Sequence, residues 1–584
     1  MSFNGRGLRG ILRACSALLC AAVVTPAMAA QLPPSADPAQ MILDGGLLIY
    51  DDFNRADTTP GTLGGAYDLR GAYVTSFPLP PATSGQVQNG AFVDNSPYTV
   101  YATQSFGSTV YRLGATVSWQ PSTGTASTTE FAMLISANNN FITDMVHFSL
   151  NRGGWLLQVR GLSGPGSTSE AFVTIASQNF ASIWPDNGTP LTISLSITGQ
   201  TVTVDANGKI TTVSDPRVPS LVGPYAVWEQ YYPYQGKQDV DAMRIDAVWA
   251  GGASSGREIN APDTARSLPK TGELLSEAHT NTVWQYLGGM VPGGDGHFQN
   301  ATTETVLPQS IGGFLSGQVI HGEANIPDGN KADGTGYLIA TGFDFPVSQS
   351  VRLGLSYAYG DMDGTLALPS GRTHTTSNQA LVYGRWGRDL FVDGFAGASV
   401  QTMRTQRTAV LGTGVTYDVE GRTSGVSPFF GLQFGATMNS GRFHLDPAVG
   451  VQYAQSNVRG YTETGGLPAM QLSALGNRDL DGRVGFDAHG NFSTGAVILQ
   501  PEMHAFFVAD IAGSTKELTG AFTAFPNEPF TFAVGRTAPE WCEFGLGVHA
   551  RLSSSVSVGA GYSGILGGRA LSYGAWTGTV RVSL

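Results

Sequence analysis

In Val351–Gly360 the odd positions are Val, Leu, Leu, Tyr and Tyr, and the even ones are Arg, Gly, Ser, Ala and Gly. Successive side chains of a strand point to opposite faces. The segment therefore predicts a strand with one apolar face that ends in aromatics and one small, polar face. The pattern recurs. Phe443, Leu445, Val449, Val451 and Tyr453 alternate with His444, Asp446, Gly450 and Gln452. Phe544, Leu546, Val548 and Leu552 oppose Glu543, Gly545, His549 and Arg551, and Val556, Val558, Ala560 and Tyr562 oppose Ser557, Gly559, Gly561 and Ser563. The last strand sets Val580, Val582 and Leu584 against Thr577, Thr579, Arg581 and Ser583.

Strands of about ten residues are long enough to cross a bilayer at a tilt. The connections between them alternate in length. Short ones fall at 346–350, 387–389, 439–442, 490–493 and 553–555; long ones run roughly 322–334, 361–374, 403–424, 455–469 and 512–540, with a last hairpin near 567–570. Five short turns join six hairpins, which predicts twelve antiparallel strands over 309–584 with both ends in the periplasm. The strands close into a barrel, because an open edge in lipid leaves backbone groups unpaired. Arg352, Arg551 and Arg581 fall on the polar face and are assigned to the barrel lumen.

Residues 42–250 show a different all-β pattern: short strands parted by Gly, Pro, Ser and Asn turns, the signature of a β-sandwich. Leu191–Ile197 and Thr201–Val204 form a hairpin around Thr198-Gly199-Gln200. Residues 251–308 form a linker. It opens on Gly-Gly-Ala-Ser-Ser-Gly and contains one helix-compatible run, Gly272–Leu287, with 301–306 as a second candidate for a helix inside the barrel.

The N-terminus carries Arg6, Arg9 and Arg13, the apolar run Ala14–Val24, and small residues at Ala27 and Ala29. This reads as a secretory signal over residues 1–30, cleaved after Ala29 or Ala30. Cleavage takes the net charge from −12 to −15 and removes Cys15 and Cys20, leaving only Cys542, so no intramolecular disulfide is expected. The acidic balance excludes nucleic acid as a partner, since phosphates need a basic face. Charged residues are only 13%, and Gly, at 77 of 584 residues, has roughly twice its usual share. That composition excludes a coiled coil or a charged tail and fits strands that are bland towards lipid and small towards a lumen.

Ser350–Gly364 (SVRLGLSYAYGDMDG), Ala380–Gly394 (ALVYGRWGRDLFVDG), Gly460–Gly465 with Leu475-Gly476, and Phe544–Leu552 with the final hairpin occur in an order that resembles the autotransporter β-domain of type V secretion. The resemblance covers about 270 residues. It implies a twelve-stranded barrel threaded by a helix, assembly by the outer-membrane β-barrel insertion machinery, and display of the upstream domain on the cell surface. The chain departs from the family by ending in Leu584 and by lacking an Asn-Asn pair between 260 and 310, so release of the displayed domain is in question. Tyr50–Asp57, Met145–Val159 and Met243–Trp249 resemble strands of concanavalin-A-like or laminin-G-like jelly rolls, in which the first and last strands commonly lie side by side.

The chemistry of the N-terminal block is read from what sugars require. Trp228, Glu229, Tyr231, Tyr232 and Tyr234 combine aromatic faces, which stack on sugar rings, with a carboxylate, and are the candidate ligand site for a glycan or host surface. Trp155 is assigned to the core, and Asp51, Asp52, Asn54 and Asp57 to a turn rather than a metal site. No Glu-x-Asp-x-x-Glu, Gly-Asp-Ser or His-Glu-x-x-His motif occurs, and the nine histidines show no ligand spacing. The sequence thus predicts no catalytic residue, metal or cofactor, and a binding (adhesion) role, with a secreted glycan or ester hydrolase as the alternative.

Overall fold

The computed structural model describes residues 36–583 apart from short segments, the longest being 59–67, 73–85, 120–129, 163–169, 180–188, 232–242 and 289–310. The signal residues Ala27 and Ala29 and the 301–306 candidate lie outside the described residues.

Two antiparallel sheets form the N-terminal sandwich. One has eight strands: 209–214, 201–206, 191–198, 112–119, 243–251, 91–93 and 86–88 in spatial order, with 47–51 also on 243–251. The other has seven: 170–179, 154–162, 145–151, 130–136, 225–231, 99–105 and 68–72. The first strand does lie beside the last, Tyr50 opposite Trp249. Alternation builds the core between the sheets. Leu113, Ala115 and Val117 face Phe131, Met133, Ile135 and Trp228, all buried. Each such side chain taken fully out of water contributes about 1.5–3 kcal/mol.

The C-terminal half is a closed antiparallel barrel of twelve long strands, with two three-residue strands at its turns. Strand 416–436 pairs with 443–458, and strand 312–325 pairs with 571–583, so no long edge is left open. The short turns fall where the alternation broke, for example at Asp389 and Gly441. Outward positions are apolar: Leu315, Val319, Ile339, Phe343, Leu353, Leu355, Leu432 and Phe434 are all exposed. Among the described residues no helix is long and apolar enough to cross a membrane, so the crossing is made by strands.

The strands are longer than the expected ten residues. They run from eleven (Val556–Leu566) to twenty-one (Leu390–Val410). The segments 322–334, 361–374 and 403–424, expected as loops, are mostly ladder. Their outward positions turn polar: Asp361, Asp363 and Thr365 on one strand, Arg404 and Gln406 on the next but one, Glu420 and Arg422 beyond it. The sequence signal ends at the lipid boundary because the apolar face ends there. The hydrogen bonds do not: Arg404 still sits opposite Arg422, and Gln406 opposite Glu420. Only the two longest connections leave the barrel wall, and they fold into a four-stranded sheet of 461–462, 470–472, 518–522 and 530–532.

A single helix, Asp263–Gly288, fills the lumen. It starts nine residues before the expected Gly272. Pro269 and Gly272 hide the start, since both disfavour a helix interior. The barrel wall supplies what they withhold: Gly272 lies against Gln401, whose amide nitrogen donates to the Gly272 carbonyl at 3.3 Å.

Candidate functional site

The lumen is lined by polar side chains from the inward positions, and the helix satisfies them. His279 bonds Gln379 through Nδ1 (3.2 Å) and Ser356 through Nε2 (2.8 Å). Gln379 also donates to the Leu275 carbonyl at 3.0 Å, and Gln318 to the Thr282 hydroxyl at 2.5 Å. The Tyr286 hydroxyl donates to Asp344 at 2.5 Å, and Arg352 Nε donates to the same carboxylate at 2.6 Å. Close approach needs bare backbone on the wall. A Cβ on Gly431 would stand 2.7 Å from the Trp284 ring, and one on Gly360 would stand 2.8 Å from Leu275.

Of the three lumenal arginines, Arg352 is fully buried in the Asp344 pair, and Arg581 is buried 5.8 Å from the Tyr286 ring centroid and 4.0 Å from Glu502. Arg551 is also buried on an inward position. Sequence reasoning missed their partners, Asp344 and Glu502. The signal was there: both are acidic residues on the small, polar face of an alternating strand. The arrangement is that of a plug, with hydrogen bonds joining helix to wall and the wall's charges paired within the wall.

The second place with a site's chemistry is on the sandwich. The outward face of the seven-stranded sheet is not open at its centre: Leu134, Met145 and Val227 are buried there, as are Ser149 and Glu229. Glu229 sits opposite Ala132, and Glu130 lies two residues along the neighbouring strand. Burial raises the Glu130 carboxyl above its ordinary value, partly offset by a hydrogen bond with Ser149. Burial pushes the imidazole of His147, also on this face, down to about 4, so it is neutral at pH 7. Leu156 is exposed opposite Ser149, while at the far edge of the sheet Phe172 is exposed 5.4 Å from the His147 ring and carries the Arg160 guanidinium 4.8 Å from its centroid. The recess therefore offers two carboxyl groups, a hydroxyl and a neutral imidazole, with an exposed apolar side chain beside the hydroxyl.

The predicted ligand residues divide here. Trp228 is a correction: it points into the core, has no exposed surface, and its indole N–H donates to the Gly114 carbonyl at 3.0 Å. It cannot stack on a ligand. Glu229, its neighbour, points the other way into the recess. Tyr231 closes the strand, its side chain outside the described residues, as are Tyr232 and Tyr234. Trp155 is in the core. Asp51 and Asp52 accept the backbone N–H groups of Phe53 (2.8 Å) and Asn54 (3.0 Å), which is turn chemistry. The one serine in a Gly-x-Ser-x-Gly spacing, Ser254 in the linker, lies outside the described residues. Among the described residues one group of metal-ligating type comes together, Asp361, Asp363 and His374, on the exposed outer face of the barrel hairpins, where His374 Nδ1 already bonds Asp363 at 2.8 Å.

Residues 314–563 match the family described as autotransporter beta-domain. Among solved structures, the translocator domain of the autotransporter NalP from Neisseria meningitidis is similar at 16% identity, covering 56% of this chain and 99% of that one, with a TM-score of 0.40. The transport unit of the autotransporter AIDA-I from Escherichia coli is similar at 16% identity, over 47% and 91% of the two chains, TM-score 0.33. The Bacillus licheniformis beta-glucanase is similar at 10% identity, over 36% and 99%, TM-score 0.25. No curated protein matches the chain.

Proposed function

We propose, for a chain whose residues 314–563 are an autotransporter β-domain and which therefore lies in the outer membrane with its N-terminal part exposed, that the displayed sandwich is a binding module for a hydroxyl-rich ligand, a glycan of a neighbouring surface. The observation that carries this is the buried polar recess on the outward sheet face. Glu229 is buried on the face of the sheet that points away from the core. Glu229, Glu130 and Ser149 present acceptors and a hydroxyl in one place, which is what sugar hydroxyls pair with. The exposed side chain of Leu156, opposite Ser149, supplies an apolar surface in the same row. The insertion machinery that accepts β-barrels would deliver the domain.

The test is capture of glycans by intact cells displaying the full chain. Glu229→Gln and Ser149→Ala should each cut capture at least fivefold at unchanged surface level. Unchanged capture in both variants removes the recess from the reading.

One observation favours a second reading, hydrolysis. Glu130 and Glu229 are diagonal neighbours on adjacent strands, with Cβ atoms about 7–8 Å apart for such pairs. Burial raises the Glu130 carboxyl, and a raised carboxyl is what a general acid needs. Turnover of a glycan that is lost in both Glu130→Gln and Glu229→Gln would establish that reading over binding.

A further inference from the structure

The sandwich does not hang from the barrel by its linker alone. A hydrophobic cluster of buried residues draws on the sandwich, the lumenal helix and the barrel mouth together: Ile42 and Trp249, Leu268, and Leu411, Met470 and Phe522. Strand 243–251 serves two cores by alternation. Val248 and Ala250 face the interior of the sandwich, while Ala247 and Trp249 face the barrel. Polar contacts fix the alignment. The Gly412 N–H at a barrel hairpin donates to the Leu47 carbonyl of the first sandwich strand at 2.8 Å. Arg407 of the same hairpin donates to the Asn260 carbonyl at 3.2 Å while paired with Glu463 at 2.7 Å, with both side chains fully buried. Tyr50 packs edge-on against Phe525 of the surface-loop sheet, centroids 4.8 Å apart.

None of these contacts uses Ala253 or Glu258, the exposed residues that flank the start of the linker. The lumen is filled by the helix, so a folded sandwich reaches this seam only from outside.

We infer that the barrel mouth is a docking surface for the chain's own sandwich, one that closes after export and holds the domain without the covalent link. The sandwich is then a seated cap, and cutting the linker does not release it.

The experiment places the recognition sequence of a specific protease across residues 253–257 of the full chain. Intact cells are cut, and scission is verified on a denaturing gel. After sedimentation the sandwich fragment is expected in the cell pellet, at least tenfold over the medium. Leu411→Asp, at the tip of a barrel hairpin, should reverse that ratio after cutting. Barrel folding in the variant is checked by its heat-modifiable mobility. Should Leu411→Asp fail that check, Phe525→Asp in the loop sheet gives the same readout. Release of the fragment from the cut wild-type chain overturns the inference. So does retention in both the cut wild type and the cut, folded variant, since attachment would then not lie in the seam.

Discussion

Asn260 engages both backbone groups of Val410: its Nδ2 donates to the Val410 carbonyl at 2.9 Å, and its Oδ1 accepts the Val410 N–H at 3.0 Å. The same amide donates to the Ile42 carbonyl at 2.6 Å. One side chain thus ties linker, barrel and sandwich. Asn260→Ala leaves buried backbone groups unpaired, at a cost of about 1–3 kcal/mol. Hydrogen exchange at the Val410 amide should accelerate at least fivefold in this variant while amides of strand 351–366 stay unchanged. Equal protection at Val410 would show that the tie carries no energy.

The Arg407–Glu463 pair makes a steeper prediction. Glu463 also accepts the Met470 N–H at 3.0 Å, and Arg407 donates to the Pro468 carbonyl at 2.6 Å. Removing one member leaves a buried charge alone, at a cost of about 3–5 kcal/mol. Arg407→Ala should expose the 459–474 connection to proteolysis on intact cells. Arg407→Met combined with Glu463→Leu should restore much of the resistance, because neither charge remains. A double variant as sensitive as the single one would sink the argument.

The seam also predicts a pH dependence. Burial, followed by the hydrogen bond and charge of Asp37, pushes the Glu528 carboxyl up to about 7. A folded-state value above the unfolded one means that the native seam holds a proton the open chain releases. The contribution is complete below about 4.5 and is lost as pH rises through about 7. The cut sandwich should therefore dissociate at a lower temperature at about pH 8 than at about pH 5. Glu528→Gln, which keeps a donor and cannot ionise, should flatten that difference. A variant with the wild-type slope would assign the pH dependence elsewhere.

The lumenal helix predicts conductance. With Asp263–Gly288 in place the lumen is blocked by paired side chains such as His279 with Ser356 and Gln379. Deletion of 260–309 should convert a closed protein into an open pore in planar bilayers. Equal conductance before and after deletion would mean that the helix is not the plug.

These features were legible to different depths. Val351–Tyr359 announced the barrel because lipid on one side and small polar neighbours on the other impose opposite demands on alternate residues. Asp361, Asp363 and Thr365 hid the rest of the same strand, since water makes no such demand. The helix was legible from Gly272 onward and concealed before it, because Pro269 is tolerated only where the barrel wall surrounds it. Trp228 and Glu229 show a limit of composition. They read as one polar-aromatic cluster, yet adjacent strand residues point apart, and the core claimed the ring while the recess kept the carboxylate. The second face of Ala247-Val248-Trp249-Ala250 was visible as an unbroken apolar run, the mark of a strand covered on both sides. What covers it, a barrel mouth two hundred residues away, was not.

The strands that outrun the lipid have a mechanical consequence. Beyond Val400 the outward positions turn to Thr402, Arg404, Gln406 and Thr408, and the wall continues ten residues to Val410. At about 3.3 Å per residue and a tilt of about 40° this is a rise of roughly 20–25 Å. The barrel is thus a pedestal as well as a membrane anchor, lifting the sandwich clear of the headgroup layer to a height and bearing that a flexible tether would not fix. On the proposed binding role, a ligand on an opposing surface would meet a stiff, oriented face, so the entropy of finding the right pose would be largely spent before contact.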